Sequence, residues 1–328
     1  MNEFRTTFDI PRSSYKIHYA SKCMFLGSCF SEHIGNRLSE RKFLVDLNPF
    51  GILYNPGSIY KGLMRLIEGM EYTPSELTFH DDLWVSLDHH GRFSHADRDA
   101  CLKNINSRLR ESAGFLREAQ AIFLTFGTSW FYEWKDTGAR VANCHKIPAD
   151  RFYRKLLRPQ EIVQMYSGLV ETLTALNPEL YFVFTVSPIR HWKDGATANQ
   201  HSKSILHCAI HELKEAHPEI MYFPAYELMM DDLRDYRFYA EDMLHLNSQS
   251  VGYIWEKFQA TFMDTNALEP MGAVEKVLLA AAHRPEGKRK DAVRRFVSQQ
   301  LQAIKRLKKR FPQMDFTREE SHFRSLIS

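Results

Sequence analysis

The sequence predicts an α/β fold, a single doubly wound domain on a mostly parallel sheet, and three observations carry that prediction. Strand-length apolar runs recur without polar alternation, as expected for strands buried on both faces. Longer stretches of helical periodicity separate them. The first run, MFLG, passes through a glycine directly into an amphipathic helix, giving MFLGSCFSEHIGNRL over 24–38.

Taken in order, the strand candidates are MFLG (24–27), a weaker FLVDL (43–47), AIFLTFG (121–127), YFVFTVSP (181–188) and IMYFPAYE (220–227). Helical spacing predicts helices over 151–176 and 202–216. Residues 57–100 open as a helix and continue as a polar loop carrying Trp84, His89, His90 and Phe93. Residues 131–150 hold a turn at Gly138 and the segment NCHKIP. Both read as insertions at strand ends, where α/β folds build sites. From about Ala267 onward the chain reads as helices broken at Pro285, Gly287 and Pro312, so the expected division is a main domain over 1–265 and a basic, mainly helical extension over 266–328.

Composition narrows the class. The chain has 328 residues, 44% of them hydrophobic, and a net charge of +3. No signal-peptide pattern opens it and no apolar run approaches the length of a bilayer span, so a soluble, cytoplasmic protein is expected. Eleven basic residues between Arg284 and Arg310 face only Glu286 and Asp291, a local balance of +9 that leaves −6 for the remainder. No aromatic interleaving accompanies this charge, so a solvated helix face is expected rather than nucleic-acid binding. The five cysteines, at 23, 29, 101, 144 and 208, show neither a close pair nor a finger spacing. His89, His90, Cys144, His145 and His191 lack the helical spacing of a metal motif, so no metal is expected.

The strand–Gly–helix turn presents two adjacent nucleophile candidates, Ser28 and Cys29. Unpaired N–H groups and the positive helix end would ease ionisation there and stabilise an oxyanion. Far along the chain, FYAEDMLHLNSQSVGYIWEKF places Asp242 and His245 three residues apart just before a helix, the arrangement of a general base and its orienting carboxylate.

These residues carry a resemblance. The motif Gly27-Ser28-Cys29-Phe30-Ser31 resembles the one that names the GSCFA family, with Ser31 where the family usually has Ala. NPFGILYNP (48–56), DHHGRFS (88–94), FGTSW (126–130), ANCHKIP (142–148), TVSPIRHWKDG (185–195), NQHSKS (199–204) and FPAYELMMDDLRDYRFYAEDMLH (223–245) extend it in order. GSCFA proteins are in turn similar to SGNH, or GDSL-like, esterases and acyltransferases. The resemblance implies a three-layer α/β/α, flavodoxin-like domain and an acyl-ester hydrolase or transferase, acting for instance on a carbohydrate ester and needing no cofactor.

Laid on the SGNH blocks, Cys29 takes the nucleophile position and Ser28 that of the preceding Asp, so the resemblance implies either a thiolate at Cys29 or, through a one-residue shift, Ser28 as the nucleophile. His245 becomes the base and Asp242 its partner. Gly51 matches the glycine whose amide points into the site. The third block's Asn is missing, and Gly127, Thr128 and Ser129 stand in its place, with Asn48 as an assisting donor. His90, His145, Arg190 and His191 fall in matched strand-end segments and are assigned to substrate binding. Arg190, with Lys193 and Lys203, would suit an anionic group, and Trp84, Trp130 and Trp192 a stacking wall. The altered first and third blocks leave one competing expectation, a non-catalytic α/β module binding a glycan or an anionic ligand.

Overall fold

The computed structural model describes residues 5–283 and 290–327. In chain order the main elements are β1 (Lys22–Gly27), α1 (Cys29–Glu40), β2 (Leu44–Leu47), α2 (Pro56–Glu68), β3 (Leu77–His80), β4 (Leu83–Ser86), α3 (Arg98–Arg117), β5 (Ala121–Phe126), β6 (Trp130–Trp134), β7 (Arg140–Val141) and β8 (Phe152–Leu156). There follow α4 (Pro159–Leu176), β9 (Tyr181–Val186), α5 (Gly195–Ala216), β10 (Met221–Tyr222), a helical turn α6 (Ala225–Glu227), α7 (Ser248–Phe262), α8 (Thr265–Ala282), α9 (Lys290–Arg310) and α10 (Thr317–Ser325).

Five strands form the central sheet in the order β10-β9-β5-β1-β2. β1 pairs in parallel with β5, β5 with β9 and β9 with β10. The apolar runs explain this placement: β1, β5 and β9 are buried almost without interruption, so both of their faces are covered. Met24, Leu26, Ile122, Leu124, Phe182 and Phe184 share one cluster with Ile59 and Leu63 of α2, Ile105 of α3, Tyr166 of α4 and Leu206 of α5. On alternate positions Phe25 stacks on Phe123 with ring centroids 4.4 Å apart. Local signals bound the helices. Asn55 caps α2 by accepting from the Ser58 N–H, Pro56 fixes its first turn, and Gly69 closes it at φ +62°.

Three expectations change. Arg151–Leu156 does not join the helix that follows: Phe152–Leu156 pairs antiparallel with β6, and α4 starts at Pro159. The strand expected over 220–227 shrinks to Met221–Tyr222, because the chain turns helical at Ala225 just past Pro224. The two insertions hold small antiparallel sheets, β3-β4 and β7-β6-β8.

The chain divides into two compact units. The first comprises 1–11, 22–35 and 45–257 and holds the sheet; the second comprises 12–21, 36–44 and 258–328. Within the second, Tyr19 stacks on Phe43 at 4.1 Å, and Lys42 pairs with Glu319 at 2.8 Å. Helix α9 buries Val297, Ile304 and Leu307 and exposes Arg294, Arg295, Lys305, Arg306, Lys309 and Arg310. Arg284, Lys288 and Arg289 of the basic stretch, with Pro285, Glu286 and Gly287, lie outside the described residues. Among the described residues no helix is long and apolar enough to cross a membrane.

Candidate functional site

The site begins where β1 ends. The sheet order changes direction between β1 and β5, and the crevice beyond the carboxyl ends of strands at such a point is where α/β sheets bind ligands. Gly27 makes the turn at φ +137°, and a Cβ there would lie 2.2 Å from the Thr125 carbonyl oxygen. Only glycine fits. Ser28 and Cys29 follow, and Cys29 is the first residue of α1.

The two nucleophile candidates have different surroundings. Ser28 is 1% exposed, and its Oγ accepts from the Phe30 N–H at 3.4 Å. Cys29 is half-buried, and its Sγ lies 3.9 Å from the Tyr54 hydroxyl. The helix terminus does not make this a low-pKa thiol as the sequence leads one to expect. Burial pushes it up and Glu32 adds to the rise, while Tyr54 partly offsets them. The resting thiol is neutral at pH 7.

Asp242 and His245 sit together as their spacing requires. Asp242 Oδ1 accepts the N–H groups of Leu244 and His245, each at 2.9 Å, and its Oδ2 meets His245 Nδ1 at 2.5 Å. Those backbone donors, then the imidazole, hold the carboxyl down at about 2. Neither Ser28 nor Cys29 hydrogen-bonds to His245. Ring contacts span the interval instead: Tyr54 meets His191 edge-on at 5.3 Å, and His191 meets His245 edge-on at 6.4 Å. Burial, followed by the charge of Lys203, lowers the His191 pKa and keeps that ring neutral.

The expected oxyanion donors divide sharply. The Gly51 N–H donates to the Asn48 carbonyl at 2.8 Å, and Gly51 at φ +80° has His90 packed where a Cβ would project. The Gly127 and Thr128 N–H groups both donate to the Tyr54 carbonyl, at 2.7 and 3.0 Å. The Thr128 and Ser129 hydroxyls are taken by Ser202 Oγ at 2.9 and 3.0 Å. Asn48 is different: its Oδ1 accepts from the Gly27 N–H at 2.9 Å, while its buried Nδ2 has no hydrogen-bond partner. Such an orphaned donor is costly unless something uses it.

Of the residues assigned to substrate binding, Thr128 and His191 line a cavity of about 290 Å³ together with Tyr54, Asn55, Trp130 and Tyr132. Charged groups border it: Arg154 pairs with Asp194, and Lys193 Nζ reaches the Tyr132 hydroxyl at 2.5 Å. Arg190 lines a second cavity with Trp192. His145 turns its Nε2 to the Ser86 carbonyl at 2.8 Å, and His90 covers Gly51, so neither lines these two cavities. The three tryptophans form no common wall, since Trp130 and Trp192 line different cavities and Trp84 packs on Phe79. Lys203 does not face an anion. It is fully buried, and its ammonium donates to the Gly127 and Ser187 carbonyls at 2.7 and 2.6 Å. Among the described residues no three His, Cys, Asp or Glu side chains gather as a metal site.

Sequence reasoning passed over Tyr54, Tyr132, Arg154 and Asp194. Tyr54 was readable only as part of NPFGILYNP, and nothing local in the sequence pairs it with Cys29.

No curated protein matches the chain. A solved structure from Streptococcus pneumonia, described as that of a platelet activating factor, is 13% identical to it over 73% of this chain and 82% of that one, with a TM-score of 0.37. The profile described as the GSCFA domain protein, C-terminal domain, matches residues 274–328. The GSCFA family profile itself matches residues 22–258, well over half of the chain, and the protein therefore belongs to the GSCFA family.

Proposed function

We propose that this protein is an SGNH-like hydrolase or acyltransferase that uses Cys29 to open an acyl ester. The observation that carries the reading is the position of the thiol: half-buried, first in α1, at the switch point of the sheet, and joined through Tyr54 and His191 to the Asp242–His245 pair. Numbered among themselves the sheet strands run 2-1-3-4-5, the flavodoxin-like order, which supports the SGNH-like reading. Ser28, enclosed and bonded to its own helix, is the poorer nucleophile.

In the proposed reaction a neutral thiol needs a base. His245, oriented by Asp242, takes the Cys29 proton by way of the neutral His191 ring that stands between them as sulfur attacks the acyl carbon. The oxyanion receives the Cys29 N–H at the helix start and Asn48 Nδ2, the unpaired donor beside Gly27. Collapse expels the alcohol, which leaves with the proton held by His245. Water, or an acceptor hydroxyl, then gives its proton to His245 and cleaves the thioester, restoring the thiol. The cavity bordered by Trp130, Tyr132, Arg154 and Lys193 offers flat rings and charged hydrogen-bonding groups, which suit a polar alcohol such as a sugar.

One observation favours the competing reading, a binding module without turnover: the thiol touches a phenol rather than an imidazole and its pKa is raised. A single experiment separates the two. Incubation with p-nitrophenyl acetate and intact-mass analysis should give a +42 Da adduct at Cys29, roughly the mass of one acetyl group, that is absent in Cys29→Ala and retained in Ser28→Ala. Release of p-nitrophenol unaffected by Cys29→Ala and His245→Ala would sink the catalytic proposal.

A further inference from the structure

The segment that leaves β9 divides the space around His191. His191 has extended backbone, so the side chains at 190, 191 and 192 leave the chain in alternating directions. His191 lines the cavity beside Tyr54, whereas Arg190 and Trp192 line another, of about 260 Å³. The far wall of this second cavity comes from a π-helical segment, Leu228–Asp232, which supplies Met229 and Met230, and from Met243 and Leu244. Met243 and Leu244 are the two residues between Asp242 and His245. The cavity therefore adjoins the proposed base.

Its lining is unusual for a surface recess. Trp192 is 53% exposed, Met243 53% and Tyr236 75%, three of the large apolar side chains that the fold leaves in water, gathered around one opening. Met243 is held at φ +58°, a left-handed conformation that costs energy in any residue but glycine. The turn that imposes it is the one that makes the Asp242 backbone hydrogen bonds, so the strain that orients His245 also places Met243 at the mouth. Methionines are flexible and unbranched, and a wall of them adapts to a chain rather than to a ring. The two arginines are already engaged: Arg190 with Asn199 and the Ala196 carbonyl, Arg234 with Asp231 and the Met230 carbonyl. They frame the cavity instead of waiting for an anion.

We propose that this cavity is an acyl-chain subsite, which takes an unbranched chain of medium length while the alcohol occupies the cavity on the other side of His191. The assignment rests on the acyl-transfer reading above for its direction, but the subsite has a test of its own. Binding of straight-chain carboxylates from acetate to octanoate to the full-length protein, measured by calorimetry, should strengthen about fourfold per added methylene until the cavity is filled. Tyr236→Asp and Met243→Asp, both at exposed positions, should flatten this dependence while leaving the circular dichroism unchanged. A flat series in the wild type, or an unaltered slope in both variants, overturns the subsite. The corresponding p-nitrophenyl esters distinguish the two proposals. Chain-dependent carboxylate binding without ester turnover keeps the subsite and removes the catalytic reading; turnover indifferent to chain length with flat carboxylate binding does the reverse.

Discussion

The Cys29 thiol rests against the Tyr54 hydroxyl, 3.9 Å from sulfur to oxygen, and this contact opposes the burial that raises the thiol's pKa. A hydroxyl beside sulfur stabilises thiolate by donating to it, and removing it takes that help away. Tyr54→Phe should therefore move the thiol pKa further up. The pH dependence of Cys29 alkylation by iodoacetamide checks this: the rate's inflection should shift to higher pH in the variant, and an unchanged inflection would mean that the contact does not act on the thiolate.

Lys203 gives a prediction about stability. Burial, followed by the charge of Arg190, lowers its pKa from 10.5 to about 7. The folded protein thus releases the proton near pH 7, whereas the unfolded chain keeps it up to about 10.5. Between those values the unfolded state binds more protons, so raising the pH favours folding, and below 7 the group adds no slope. Urea unfolding at pH 6, 7.5 and 9 should show the wild type gaining stability relative to Lys203→Met as the pH rises. Equal slopes would show that Lys203 stays protonated in the folded protein across this range.

These residues also show what a single sequence can convey. β1, β5 and β9 were legible because burial on both faces writes itself as an unbroken apolar run, and Asp242 with His245 because three residues of spacing keep both in one turn. Phe152–Leu156 was not, because its middle residues are exposed and its strand character comes from pairing with β6, which no local pattern records. Lys203 reads as one more surface cation, and only the approach of the β5 and β9 ends to α5 turns it into a buried clamp. The oxyanion candidates were legible as residue types but not as donors. Whether an N–H is free depends on partners such as the Tyr54 carbonyl, more than seventy residues away from the glycine it serves.

The turn at Gly27 should tolerate no side chain. With φ +137° and Thr125 backbone in the space a Cβ would fill, Gly27→Ala must shift β1 against β5 or distort the turn. Strain of this kind costs about 1–3 kcal/mol for the backbone alone, and the clash adds to it. A loss of about 3 kcal/mol or more is expected from chemical denaturation. Gly138→Ala is the comparison, since its φ of +69° is also positive but nothing lies within 4 Å of the added methyl. If Gly27→Ala costs no more than Gly138→Ala, the close approach at the turn between β1 and α1 is not what the glycine is for.

Asp242→Asn tests whether the Asp242–His245 pair serves chemistry or only closes a turn. An asparagine side-chain oxygen can still accept from the Leu244 and His245 N–H groups, so the turn and the melting temperature should be preserved. What it cannot supply is the negative charge on His245 Nδ1, which the carboxylate, held at about 2, retains at every pH where the protein is expected to work. In a base-dependent acyl transfer, losing that charge costs orders of magnitude, roughly 10²–10⁴ in turnover, because the imidazole loses both its tautomer and its stabilised cation. The expected outcome is an unchanged thermal melt with p-nitrophenyl acetate turnover collapsed. Because the wild-type carboxylate titrates so low, its activity should show no loss from Asp242 protonation until the pH approaches 2, the sign expected for a depressed carboxyl. Turnover undiminished in Asp242→Asn would leave the pair as a turn-closing contact and make His191 the candidate base.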